Sequence, residues 1–118
     1  MAKIFILLAN FIWLGAASPA VKVTVTPSAT FHPGAVRVTA RIVPDERNRH
    51  ICIGYDGPSY RRSCDPIEGA ERKVTFEQTY KSIPPGEYHA FAELFQVLPN
   101  KAIHVETAFK VLGDEPDP

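Results

Sequence analysis

Few residues of this 118-residue chain are of types that do chemistry, and their spacing is sparse. There are two cysteines, Cys52 and Cys64, and four histidines, His32, His50, His89 and His104. Two thiols are too few for a structural zinc site, which takes four ligands. They do not form a C-x-x-C redox pair and no histidine adjoins them. The histidines lack the H-E-x-x-H spacing of a zinc hydrolase, no G-x-S-x-G elbow occurs, and no glycine-rich loop could cradle a phosphate. No catalytic residue, cofactor or metal is expected. An even cysteine count in an exported chain suggests a disulfide between Cys52 and Cys64.

Export is what the first 17 residues suggest. Lys3 supplies a positive start, residues 4–14 are apolar except for Asn10, and Gly15-Ala16-Ala17 provides a small-residue exit. That is the layout of a secretory signal, cut after Ala17, with Ala20 as the alternative. The apolar run is shorter than the ~20 residues a membrane-spanning helix needs. Removing 17 of 118 residues leaves 101, enough for one domain. Only Lys3 is lost among the charged residues, leaving 12 basic and 13 acidic side chains. This near-neutral balance argues against nucleic acid as a partner. The expected location is secreted or periplasmic, with no membrane span in the mature chain.

The elements that would position these residues read as strands. Apolar residues alternate with polar ones in seven runs, over residues 21–26, 35–43, 50–55, 60–64, 72–80, 87–98 and 102–112. Eleven prolines, mostly between the runs, act as punctuation. Seven short strands in about 100 residues predict an all-β, antiparallel two-sheet sandwich over residues 18–112. The acidic, proline-rich residues 113–118 form a tail.

Register follows from the turns. If the Asp56-Gly57-Pro58-Ser59 turn pairs Asp56 with Tyr60, then Gly54 stands against Arg62 and Cys52 against Cys64, on one face and within bridging distance. For the last hairpin, joined by Pro99-Asn100-Lys101, the expected pairs are Val97 with Ala102, Phe95 with His104, Glu93 with Glu106, Phe91 with Ala108 and His89 with Lys110. This puts Phe91, Phe95 and Val97 in an apolar stripe on the outer face, with two like charges opposed and the histidines well apart. One reading has a loop or the N-terminal segment covering the stripe, with a neighbouring Arg or Lys neutralising the carboxylates. The other makes Phe91, Phe95, Val97 and His104 a docking patch for a protein. Glu93 and Glu106 alone would make a weak metal site.

Residues 83–90, Ile-Pro-Pro-Gly-Glu-Tyr-His-Ala, resemble the corner before the sixth strand of immunoglobulin-like and fibronectin type III-like domains. In those families a tyrosine hydroxyl bonds back to nearby backbone, and Tyr88, two residues after Gly86, matches that position. Residues 20–112 also resemble small exported bacterial immunoglobulin-like domains. The matching features are the Val-x-Val-x-Ala-x-Ile-x-Pro strand at 36–44, Asn48-Arg49, and Tyr60-Arg61-Arg62-Ser63. The chain departs from antibody domains in that Trp13 lies in the signal, leaving no tryptophan for the core. These motifs are structural and imply no activity. The expected function is recognition of a protein partner in the cell envelope or outside the cell. The alternatives are an accessory subunit that pairs through an edge strand, or an enzyme or metal carrier if folding gathers His and Glu side chains.

Overall fold

A strand whose alternate residues are apolar must lay that face on a second apolar surface, and eight strands do so here. The computed structural model describes residues 20–67 and 73–113. In chain order the strands are β1 Val21–Thr26, β2 Ala29–Phe31, β3 Ala35–Ile42, β4 Asn48–Asp56, β5 Arg61–Pro66, β6 Thr75–Lys81, β7 Gly86–Gln96 and β8 Lys101–Leu112. One sheet has the order β1-β3-β6 and the other β2-β8-β7-β4-β5. All pairings are antiparallel except that of β2 with β8, which is parallel. The proposed signal, residues 1–17, and all of the expected tail except Gly113 lie outside the described residues.

The alternation predicts the core well. Val36, Val38, Ala40 and Ile42 of β3, and Ile51, Ile53 and Tyr55 of β4, are all buried. They meet Tyr88, Ala90, Ala92 and Leu94 of β7 and Phe109 and Val111 of β8. Four aromatic rings fill the centre. Tyr55 meets Tyr80, Tyr88 and Phe109 edge-on, while Tyr88 and Phe109 stack at 5.2 Å. Edge-to-face and offset contacts of this kind add to the stabilisation from buried area. The hydroxyl of Tyr80 donates to the Ile53 carbonyl at 3.3 Å, which satisfies a polar tip inside the core.

Three expectations need correction. Seven strands become eight, because Ala29–Phe31 is too short to show alternation and is bracketed by Pro27, Pro33 and Gly34. Its register is fixed instead by β8, Ala29 standing against Lys110 and Phe31 against Leu112. The fourth run is displaced to Arg61–Pro66. The last hairpin turns earlier than expected: β7 ends at Gln96, four residues form the turn, and β8 begins at Lys101. Leu98 takes the left-handed region, φ 56°, at the tip, with its side chain 81% exposed. Pro99, lacking an N–H, cannot extend the ladder. Val97 leaves the hairpin and donates its N–H to the Arg47 carbonyl at 3.0 Å.

Two buried polar residues fasten this end. The side-chain amide of Gln96 donates to Asn48 Oδ1 at 2.8 Å, and Asn48 Nδ2 donates to the Val43 carbonyl at 3.2 Å. They tie the loop after β3 to the end of β7.

Candidate functional site

Earlier closure of the last hairpin shifts its register by two residues. Glu93 therefore stands opposite His104, Phe91 opposite Glu106, Phe95 opposite Ala102 and His89 opposite Ala108. Because the shift is even, every side chain keeps its face while every neighbour changes. The two glutamates are no longer directly opposed. An imidazole lies between them.

The outer face of the five-stranded sheet collects most of the chemically distinctive side chains. Across it run Cys64 of β5, Cys52 of β4, Glu93 of β7 and His104 of β8 in one row. Arg62, Gly54, Phe91 and Glu106 form the next. Cys52 and Cys64 are joined in a disulfide with Cα atoms 4.0 Å apart. Cys52 is buried and Cys64, on the edge strand, is exposed.

Four charged groups form a chain over the disulfide. Arg62 Nε donates to Glu93 Oε1 at 3.1 Å. Glu93 Oε2 lies 3.2 Å from His104 Nδ1, and Glu106 Oε2 lies 2.9 Å from His104 Nε2. A neutral imidazole has one N–H, so donation at both ring nitrogens requires the imidazolium. The hydrogen bond to Glu106 leads in raising the His104 pKa above its ordinary 6.5; partial burial opposes it, and Glu93 adds to the rise. The same bond lowers Glu106 below its ordinary 4.5. A separate pair, Asp45 and Arg47, is joined at 2.8 Å, and hydrogen bonds from Arg47 hold Asp45 down at about 2.

The apolar stripe is broken up. Phe91 is only 5% exposed. Tyr60 stacks on it at 6.0 Å and His104 at 5.6 Å. Its ring reaches the space above Gly54, where a β-carbon would come within 2.9 Å of Phe91 Cζ. Of the two readings, cover prevails at Phe91: it comes from Tyr60, in the loop just before β5, and from His104 of β8, and not from the N-terminal segment. Phe95 and Val97 are half-buried. Phe95 stacks on His50 at 4.3 Å. His104 belongs to the charge chain, paired with two carboxylates and not with another histidine. His32 is elsewhere, with Nδ1 2.9 Å from the Ile83 carbonyl oxygen.

Two residues of this face, Tyr60 and Gly54, were not singled out as site candidates in the sequence. Tyr60, 55% exposed, is the most prominent aromatic on it. Its signal was a large aromatic just past a tight turn and beside two arginines. Gly54 was legible as a glycine inside a strand, which marks a close approach.

At the corner before β7, the Tyr88 hydroxyl donates to the Pro84 carbonyl at 2.6 Å. Gly86 has φ 151°, a region that disfavours a β-carbon, and one placed there would meet the Pro58 ring. Two shallow grooves flank the sheet face. One of about 410 Å³ runs along His50, Phe95 and Val97. The other, of about 330 Å³, lies between Tyr88, His89, Phe109 and Lys110. Among the described residues, no group of three or more His, Cys, Asp or Glu is placed to hold a metal ion. Nor is any helix among them long and apolar enough to cross a membrane.

No protein-family model matches the sequence, and no curated protein matches it. Solved structures do resemble it at low identity. A chain of the structure describing T cell specificity and activation by the bacterial superantigen toxic shock syndrome toxin-1 matches 78% of this chain over 99% of its own length, at 14% identity and TM-score 0.53. An engineered protein matches 92% of this chain at 13% identity and TM-score 0.54. This chain spans 22% of that protein's length. At such identities the likeness is one of fold: a small all-β domain of eight strands in two sheets.

Proposed function

We propose that this protein is an exported, immunoglobulin-like recognition module that binds a protein partner through the outer face of its five-stranded sheet, without catalysing a reaction. The fold part of the reading is supported by how the strands divide. Immunoglobulin-type domains place their first, second, fourth and fifth strands in one sheet and their third, sixth and seventh in the other. With β2 and β5 counted as additions and no counterpart of the fourth strand among the described residues, β1, β3 and β6 take the first, second and fifth places and β4, β7 and β8 the third, sixth and seventh. The Tyr88 bond to the Pro84 carbonyl supports it independently, since a tyrosine at this corner bonds upstream backbone in those domains. Export is supported by the leader-like start of the sequence and by the disulfide, which persists in oxidising compartments.

The observation that carries the recognition role is Tyr60. It is half-exposed, stacked on the buried Phe91, and bordered by Arg62 and the Glu93–His104–Glu106 chain. A rigid aromatic with satisfied charges at its border is the anatomy of an interface anchor. The comparison with a chain from a T cell–superantigen recognition study is compatible with protein binding and adds nothing about the partner.

The test is capture from the native exported fraction with the mature protein as bait. Wild type should retain a partner that Tyr60→Ala and Arg62→Glu lose. Arg41→Glu, on the exposed face of β3, should retain it. Equal capture by all three variants would refute the assignment of the face.

A further inference from the structure

The groove of about 410 Å³ at the Phe95 end of this face differs in chemistry from the Tyr60 region. Its floor is the stacked His50–Phe95 pair, both half-buried, with Ala102 beside Phe95 in the next strand. Two cations on different strands also line it, Arg49 of β4 and Lys101 of β8. Among the described residues, no carboxylate lines it. Nearby Asp45 is already paired with Arg47. Arg49 is held in place because Nη1 donates to the carbonyls of Glu46 and Asn48, at 2.7 and 2.8 Å. Those bonds use one nitrogen of three, and an arginine fork has five N–H donors. Among the described residues the Lys101 ammonium makes no ion pair. The result is a stacked aromatic pair in a groove that two cations also line.

We propose that this groove takes an acidic peptide segment of the partner that carries an aromatic side chain. The ring lies on the Phe95–His50 pair, and flanking carboxylates meet Arg49 and Lys101. Stacking uses the apolar floor, charge-assisted hydrogen bonds use the two cations, and neither alone accounts for both features. The proposal rests on the protein-recognition reading above but adds a second point of contact, distinct from Tyr60.

The probe is a fluorescein-labelled pentapeptide, Asp-Glu-Tyr-Glu-Asp, titrated with the full protein and followed by anisotropy. Saturable binding is expected that weakens at least tenfold in Lys101→Glu and further in the Arg49→Glu, Lys101→Glu double variant. Replacing the central tyrosine of the peptide by alanine should weaken it severalfold. Tyr60→Ala should bind the peptide like wild type, which separates this groove from the anchor. Lys101 is exposed and at the start of a strand, so its single variant keeps the test valid if the double variant misfolds. Absence of saturable binding would overturn the proposal, as would equal binding by Lys101→Glu. Equal affinity for the alanine peptide would reduce the site to plain charge attraction and also overturn it. Dimerisation that blocks the groove would make a second copy the occupant and would overturn it too. Failure here with partner capture still dependent on Tyr60 would leave the recognition reading standing.

Discussion

His104 Nε2 and Glu106 Oε2 stand 2.9 Å apart although the residues lie two apart on one strand, both facing outward. With Glu93 at the other ring nitrogen, the ring, when protonated, joins two carboxylates that would otherwise repel across the hairpin. Arg62 meets Glu93 from the far side, so the charges alternate in sign along a chain that zigzags between two neighbouring rows.

This arrangement makes stability depend on pH in a defined direction. The folded His104 pKa is raised, so its contribution is fully present below the unfolded value near 6.5 and is lost as pH rises through the folded value. Glu106 is lowered, so its share is present above about 4.5 and is lost as pH falls through its folded value. Thermal melting should therefore fall as pH climbs from about 6 into the alkaline range, and His104→Gln should flatten that slope. Equal slopes in the two proteins would contradict it. Both groups are largely solvent-exposed, so the effect is modest and salt-sensitive.

The disulfide closes a 12-residue separation between a central strand and the edge strand β5. By the loop-entropy account such a link contributes about 3 kcal/mol. The Cys64→Ser protein should lose about that much in urea unfolding, and a reductant should change the wild type but not the variant. A variant as stable as the oxidised wild type would show that β5 is held by its ladder alone.

Tyr88 is buried while its hydroxyl reaches the exposed Pro84 carbonyl. Tyr88→Phe removes one hydrogen bond whose acceptor can turn to water, and should cost about 1 kcal/mol. Tyr88→Ala removes a ring packed on Tyr55 and Phe109 and should cost about 3–5 kcal/mol. Urea denaturation of the pair checks both figures, and a phenylalanine variant as damaged as the alanine one would mean the bond defines the corner.

Gly54 leaves room for the Arg61 backbone of β5 and the Phe91 ring of β7. A β-carbon there collides with the Arg61 carbonyl, which cannot swing aside as a flexible side chain would. Gly54→Ala should separate β5 from β4, destabilise the protein by more than about 1 kcal/mol, and make the disulfide more accessible to reductant. Unchanged melting would place the strands further apart than described.

Period-two alternation made the core faces of β3, β4 and β7 legible, because parity alone decides which side chains point inward. The Cys52–Cys64 pairing was legible as well, since the Asp56–Ser59 turn left one register for its hairpin. The last hairpin was not. Its length allowed a turn centred on Leu98–Pro99 or on Pro99–Asn100, and the earlier one is accompanied by the tertiary bond from Val97 to Arg47. That two-residue difference hid the His104 bridge. Phe91 looked exposed because its cover, Tyr60 before β5 and His104 of β8, comes from two places that parity alone does not bring together. Strand β2 has three residues and no pattern to read.

The first fourteen described residues change sheets midway: Val21–Thr26 borders β3, and Ala29–Phe31 lies along β8. The same short segment thus serves as an outer stave on both halves of the molecule. A version shortened to begin at Ala35 would strip one stave from each half at once. It would bare the backbone rims of β3 and β8 together, beside the buried Val38 and Val111 that β1 and β2 border, and such rims invite pairing with other chains. Domain boundaries chosen for expression should keep Val21.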